Sequence, residues 1–302
     1  MATPAQWLEG ARPRTLPAAV SPVLAGTGVA AWQEGEIWWK AILALVLALA
    51  LQVAVNYAND YSDGIRGTDE ARVGPLRLVG SAAATPAAVK RAAFAAFGVA
   101  VVAGTALAVT TTWWLIVLGA GCIAAAWFYT GGAHPYGYLG LGEVMVFCFF
   151  GLVAVLGTAY VQTEQITLIG WYAAVGVGAL ACALLVANNL RDIPTDQAVG
   201  KRTLAVVLGD ERTRYLYALL VGMAMVALVG VALGTSLRVL VGLVSLAFLG
   251  PALVTVLGRA PGSLQRGPSG RPTGSALVPV LQQTGLGELV YSLAIFVVLL
   301  VG

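Results

Sequence analysis

Two short stretches of this chain concentrate side chains that could do chemistry. The first is Asn56-Tyr57-Ala58-Asn59-Asp60-Tyr61-Ser62-Asp63-Gly64-Ile65-Arg66-Gly67-Thr68-Asp69, in which Asn56, Asn59, Asp60 and Asp63 stand three or four residues apart. On a continuing helix that spacing puts them on one face, and Gly64 and Gly67 then permit a turn that returns Asp69 towards them. The second is Asn188-Asn189-Leu190-Arg191-Asp192-Ile193-Pro194-Thr195-Asp196, followed by Lys201 and Arg202. Here Pro194 predicts that a helix ends or bends. Clustered carboxylates repel one another unless a cation lies between them, and hard oxygen donors that leave room for water and phosphate suit Mg²⁺. Asp residues for the cations, with Lys and Arg for the remaining phosphate charge, are what a metal-bound diphosphate needs. The bland alternative is two polar loop ends supplying caps and turns. Against it, Asn59 and Asp63 match Asn188 and Asp192 at a common offset of 129 residues.

Two further segments carry candidate groups. Tyr129 to Glu143 holds Tyr129, Tyr136 and Tyr138, whose rings could wall a flat pocket. Glu143 opens an apolar run, and an ionisable residue at such depth is a functional candidate, although the N-terminal end of a helix also favours an acid through its dipole. His134 is the single histidine and reads as an ordinary loop residue. Ahead of the first apolar run, Arg12 and Arg14 could hold an anion or could simply mark a cytoplasmic end. Cys122, Cys148 and Cys182 fall in apolar runs without CxxC spacing, which argues for buried thiols rather than a disulfide framework or metal site.

The elements that must position these groups are membrane helices. The chain has 302 residues, 59% of them hydrophobic and only 10% charged, with mean hydropathy +0.85. A water-facing surface of this size would carry roughly 25% charge. The apolar residues form blocks of about 17 to 25, each able to cross a hydrocarbon core as a helix. Barrel strands would be shorter and would alternate. The expected spans are 15–32, 40–60, 91–110, 112–129, 139–160, 167–190, 214–234, 237–257 and 284–302, an all-α polytopic bundle of nine helices. The N-terminal residues lack a basic lead before an apolar run and do not resemble a cleavable signal.

Of the 17 Lys and Arg residues, all but Lys40 and Arg238 then fall on the same side as the N-terminus. Basic residues accumulate in cytoplasmic loops, so the N-terminus is expected inside and the C-terminus outside, in the cell membrane. That bias also accounts for the net charge of +3 and leaves no argument for nucleic acid. Segments 59–90 and 188–213 are the acidic inside loops, and 258–284 reads as a Gly/Pro/Ser connector. The shared offset suggests a four-helix unit repeated in parallel, about 11–135 and 139–257, with the last helix added. Both clusters would then meet at one face of a single domain covering 1–302.

With these residues in place, the chain resembles the UbiA superfamily of intramembrane prenyltransferases. The resemblance runs through Arg12-Pro13-Arg14-Thr15-Leu16-Pro17, Asn59-Asp60-Tyr61-Ser62-Asp63-Gly64, Gly67-Thr68-Asp69 and Gly200-Lys201-Arg202-Thr203-Leu204-Ala205. The stretch Tyr136-Gly137-Tyr138-Leu139-Gly140-Leu141-Gly142-Glu143 is similar to the branch that prenylates 1,4-dihydroxy-2-naphthoate. The resemblance implies nine helices around a cavity capped by cytoplasmic loops. It also implies Mg²⁺-dependent transfer of a polyprenyl group from a polyprenyl diphosphate, with loss of CO₂, to give demethylmenaquinol. By position it implies that Asn59, Asp63, Asp69, Asn188, Asp192 and Asp196 hold metal, directly or through water. Asn56, Arg191, Lys201 and Arg202 would meet diphosphate, while Arg12, Arg14, Tyr129, Tyr136, Tyr138 and Glu143 would face the acceptor. Asp60, Asp63, Asp192 and Glu143 are the catalytic candidates, with Glu143 or Asp60 as a base. Many members of the superfamily place the next Asp four residues beyond the position of Asp63, where this chain has Gly67. Ala133-His134 stands where a proline-containing turn is expected.

Three rivals remain. Asp60-Tyr61-Ser62-Asp63-Gly64 opens like a CDP-alcohol phosphotransferase motif, but Gly67-Thr68 breaks it. A transporter would share the repeat but would place its acids at mid-membrane, not at span ends. Among prenyltransferases, 4-hydroxybenzoate, homogentisate or haem could be the acceptor.

Overall fold

The computed structural model describes residues 2–67, 76–133, 135–258 and 270–302. A short helix α1 (Pro4–Gly10) is closed at its start by a capping box, in which Thr3 and Gln6 satisfy each other's backbone N–H groups. It leads into α2 (Pro17–Trp32), α3 (Trp38–Arg66), α4 (Pro86–Val109) and α5 (Trp114–Phe128). Next, α6 (Gly142–Val146) runs through a π-helical stretch, Phe147–Leu156, into α7 (Gly157–Thr163). The long helices α8 (Leu168–Ala198) and α9 (Leu204–Gly234) follow. A 3-10 stretch, Leu237–Ser245, continues into α10 (Leu246–Val256), and α11 (Val278–Val301) closes the chain. Among the described residues there is no β-strand.

Helix α8 is the hub. It packs on α9, α11, α2 and the π-helical stretch, and it is the most enclosed of the long apolar helices. On the periphery, Val102 and Leu233 are 71% and 75% exposed. Large aliphatic side chains turned outward around a helical bundle are what a lipid-facing surface needs, and the protein is a multi-pass membrane protein.

The expected count of nine spans is not confirmed among the described residues. Among the described residues, seven helices are long and apolar enough to cross a bilayer alone. An eighth appears if α2 is joined to the Pro4–Thr15 segment, from which it is bent by 49°. Helix α5 has 15 residues, about 22 Å at the helical rise, short of a hydrocarbon core of about 30 Å. Composition detected its apolar character but not its reach.

Other helices run further than expected. Helix α8 does not stop near Leu190; Pro194 lies inside it and the helix continues to Ala198. Its 31 residues span about 46 Å, so the turns bearing Asn188 to Asp196 extend beyond the apolar stretch. Likewise α3 keeps Gly64 helical and ends at Gly67, which takes the left-handed conformation, φ +71°. The 258–284 connector is also shorter than composition suggested. Pro279 is preset for the first turn of a helix, and α11 begins at Val278.

An ion pair with one buried member helps hold the last third together. Arg214, 1% exposed, grips Asp210 through Nε and Nη2 at 2.8 and 2.7 Å. The same Nη2 donates to the Pro272 carbonyl at 2.7 Å, fastening the approach to α11 onto α9. The Asp210 side chain is 36% exposed, so water screens part of this pair, while the carbonyls of Val256 and Pro272 hold the buried Arg214 guanidinium from the other side.

Candidate active site

The last turns of α3 carry four polar side chains, and the structure sends them in different directions. Asp63 is 4% exposed; its Oδ1 accepts a 2.7 Å hydrogen bond from the Tyr138 hydroxyl, and Arg77 stands 3.9 Å from Oδ2. Asn59 accepts from the Thr130 hydroxyl at 2.7 Å. Arg66 donates to the backbone carbonyls of Thr130 and Gly132, which anchors the segment after α5 against α3.

Asp60 does not serve as an open carboxylate. Its two oxygens accept from the backbone N–H groups of Leu78 and Val79 at 2.7 and 3.0 Å, and it is 1% exposed. The same segment lies directly over Gly64, where a Cβ would come within 2.4 Å of a Val79 methyl. Asp60 therefore docks the 76–79 segment on α3, and that docking brings Arg77 to Asp63. Asn56 is also spent structurally: its amide donates to the Ala11 carbonyl at 2.9 Å and to the Thr15 hydroxyl at 3.0 Å. Both Asp60 oxygens are thus engaged by backbone N–H groups, and the Asn56 amide N–H groups by the Ala11 carbonyl and the Thr15 hydroxyl, contacts that position α3 against its neighbours.

On α8, Arg191 folds onto its neighbour. Its Nε and Nη2 reach the two oxygens of Asp192 at 2.6 and 2.8 Å, and Nη2 also reaches Asn188 at 2.8 Å. Asp196 lies 3.8 Å from Lys201 Nζ and accepts weakly from Thr203 at 3.4 Å. Tyr138 joins the two clusters. Besides its bond to Asp63, its ring lies 5.5 Å from the Arg66 guanidinium and 5.1 Å from Lys201 Nζ, and its carbonyl accepts from the Arg202 amide at 3.2 Å.

Below this polar end is a cavity of about 400 Å³, lined by aliphatic and aromatic side chains that include Leu47, Leu51 and Val55 of α3, with Phe149, Phe150 and Val153 opposite. Tyr129 and Tyr136 stand in its wall and meet edge to face at 5.4 Å. The Tyr136 hydroxyl donates to the Ala125 carbonyl at 2.8 Å, and burial pushes this phenol up to about 12, so it stays a donor and does not act as a base near neutral pH. Glu143 is 7% exposed. Its Oε1 accepts from Asn189 at 3.0 Å, its carbonyl accepts from the Cys182 thiol at 3.0 Å, and its Oε2 is buried without a hydrogen-bond partner.

The two N-terminal arginines separate. Arg12 is half-buried in the left-handed region at φ 55°, within electrostatic reach of Asp60. Arg14 is exposed. Asp69 and His134 lie outside the described residues. Among the described residues no three carboxylate, histidine or cysteine side chains gather as a ready-made cation site; arginine, lysine or hydroxyl groups lean on the carboxylates instead. The donor set is nonetheless right for Mg²⁺: Asn59, Asp63, Asn188, Asp192 and Asp196 offer only hard oxygen atoms from amides and single carboxylates. The pairs at 3.8 and 3.9 Å are loose enough to exchange partners.

The UbiA prenyltransferase family model matches residues 19–265. The chain belongs to the UbiA prenyltransferase family. It is 55% identical to the 1,4-dihydroxy-2-naphthoate octaprenyltransferase of Mycobacterium tuberculosis, over 98% of this chain and 97% of that one. It is 39% identical to the enzyme of the same name from Escherichia coli, over 74% of each chain. A solved UbiA homolog from Archaeoglobus fulgidus, bound to GPP and Mg²⁺, superposes with a TM-score of 0.67 over 97% of this chain and 99% of its own, at 15% identity. That likeness concerns the fold.

Within this UbiA site, sequence reasoning overlooked Arg77, Thr130, Asn189 and Gln52. Arg77 and Thr130 gave no local signal, since they reach the cluster from loops. Gln52 did give one: it lies one turn before Asn56 on the same face of α3.

Proposed function

We infer that this chain transfers a polyprenyl group from a polyprenyl diphosphate to 1,4-dihydroxy-2-naphthoate, with loss of CO₂, giving demethylmenaquinol for menaquinone biosynthesis. One observation carries the chemistry: α3 runs from the wall of an apolar cavity to Asp63, where Tyr138 ties it to Lys201 beside Asp196. A long isoprenoid needs the first end and a diphosphate the second. The acceptor rests on the names of the similar proteins and on Tyr136 to Glu143.

The allylic C–O bond breaks with its electron pair leaving on the diphosphate. Lys201, Arg202 and Arg77 meet the phosphate oxygens as Tyr138 holds the two clusters together. Mg²⁺, held by Asn59, Asp63, Asn188, Asp192 and Asp196 directly or through water, supplies further charge neutralisation when bound. Apolar walls keep water from the allylic cation, while Tyr129 and Tyr136 offer ring edges to a flat acceptor. The ring carbon bearing the carboxylate attacks, a C–C bond forms, and CO₂ departs leaving its bonding electrons in the ring. Glu143 Oε2, free of other hydrogen bonds, takes a ring hydroxyl proton during attack and returns it as the quinol forms. Glu143→Gln is expected to lower turnover about 10²-fold at unchanged KM for the diphosphate. Full turnover by the folded variant would remove Glu143 from this role.

We also place the N-terminus and the polar end of the site on the cytoplasmic side of the cell membrane, from the distribution of Lys and Arg. The pairing of α3 with α4 and of α8 with α9 supports two related four-span units. The purified protein, given Mg²⁺ and a polyprenyl diphosphate, should release CO₂ and form product with dihydroxynaphthoate. Turnover of 4-hydroxybenzoate in its place would sink the acceptor assignment.

A further inference from the structure

Among the described residues, one side chain of the cavity wall carries a buried acceptor atom with no hydrogen-bond partner. Gln52 lines the cavity and is 8% exposed, and its Oε1 has no hydrogen-bond partner. Which end of the amide meets Thr15 is decided by chemistry. The Thr15 hydroxyl gives its only hydrogen to the Arg12 carbonyl at 2.9 Å, so towards other side chains it can only accept. Both amides that reach it must present N–H: Gln52 Nε2 at 3.1 Å and Asn56 Nδ2 at 3.0 Å. The Gln52 carbonyl is thereby turned away from Thr15 and fixed. Nearby, the Tyr136 hydroxyl is already committed to Ala125. A buried carbonyl without a donor is costly, and an isoprenoid tail has no donor to give.

We propose that Gln52 Oε1 accepts a hydrogen bond from a ring hydroxyl of the aromatic acceptor, and that this contact selects hydroquinone-type acceptors. The proposal rests on the prenyl-transfer reading and deepens it. In 1,4-dihydroxy-2-naphthoate the 1-hydroxyl is ortho to the carboxylate and bonds to it internally. The 4-hydroxyl has no internal partner, so it is the donor assigned to Gln52. Gln52 acts here as a residue that discriminates among acceptors and takes no part in breaking bonds.

The test compares KM for dihydroxynaphthoate with the inhibition constant of 1-hydroxy-2-naphthoate, which lacks the 4-hydroxyl, at saturating polyprenyl diphosphate. Wild-type protein should bind the 4-deoxy compound on the order of tenfold to a hundredfold more weakly than the substrate. Gln52→Met, close in volume but without the oxygen, should raise KM for dihydroxynaphthoate by about tenfold. It should leave KM for the diphosphate and the inhibition constant of the 4-deoxy compound near their wild-type values. Equal weakening of both naphthoates, or a change confined to the diphosphate, would show that Gln52 acts through packing and would overturn the proposal. So would equally tight binding of the two naphthoates by wild-type protein, a result that needs no variant to fold. Failure of wild-type protein to prenylate dihydroxynaphthoate at all would instead remove the underlying reading, and this proposal with it.

Discussion

Asp63→Asn and Asp192→Asn are each expected to lower prenyl transfer about 10²- to 10³-fold, the usual loss when one group that stabilises developing charge is removed. The two substitutions differ in what else they disturb. At position 63 an Asn oxygen can still accept from Tyr138, and the Arg77 contact that weakens is long, at 3.9 Å. The Asp63 variant should therefore insert, extract in detergent and unfold much as the parent does, so its defect is one of chemistry alone. At position 192 the change also breaks the two-point grip of Arg191, whose side chain is 4% exposed. A stranded buried charge of that kind costs about 3–5 kcal/mol, and the Asp192 variant should show a lower thermal midpoint together with its lost rate. Single-turnover rates with preloaded polyprenyl diphosphate, measured beside thermal unfolding in detergent, separate the two effects. An Asp63 variant with a rate within a few-fold of the parent would contradict the placing of this carboxylate at the diphosphate.

Removal of divalent cations is expected to abolish transfer altogether, with activity returning on addition of Mg²⁺. Asp63, Asp192 and Asp196 are three carboxylates at the end of the cavity where the reading places an anionic diphosphate. Without added cations, they oppose its approach, and their arginine and lysine partners are divided between carboxylate and phosphate. Chelator titration with a radiolabelled polyprenyl diphosphate should show loss of both binding and turnover. Ca²⁺ should restore transfer poorly, since it favours longer bonds and more ligands than this small donor set provides. Transfer that persists in excess chelator would undermine the reading of both clusters.

Much of the site was legible in the chain because helical spacing is a local property. Asn59 and Asp63, and likewise Asn188 and Asp192, stand four residues apart, and any helix puts such pairs on one side. The shared spacing of two distant segments carried the expectation of a two-part site. The same local logic misjudged where helices end. Pro194 signals a break, yet α8 continues to Ala198, with Arg191 bound to Asn188 and Asp192 across those turns. Asp60 and Asp63 looked equivalent for a similar reason. They differ only by what approaches them, and for Asp60 that is the backbone of Leu78 and Val79.

The chain's composition and its Asn/Asp spacing thus determined a helical membrane protein with two polar clusters at the ends of long apolar helices. Apolar run length and helical periodicity depend on neighbours a few residues away. Only the tertiary structure decided that Asp60 and Asn56 are spent on the backbone and the N-terminal segment, and that Tyr138 joins the clusters across 75 residues of sequence. It alone showed that Gln52 turns its carbonyl away from Thr15, 37 residues earlier in the chain. Each of these depends on which distant group arrives with a donor to give, and helical periodicity holds no record of that. The two clusters were written in the sequence, but which distant groups their side chains meet was settled by packing.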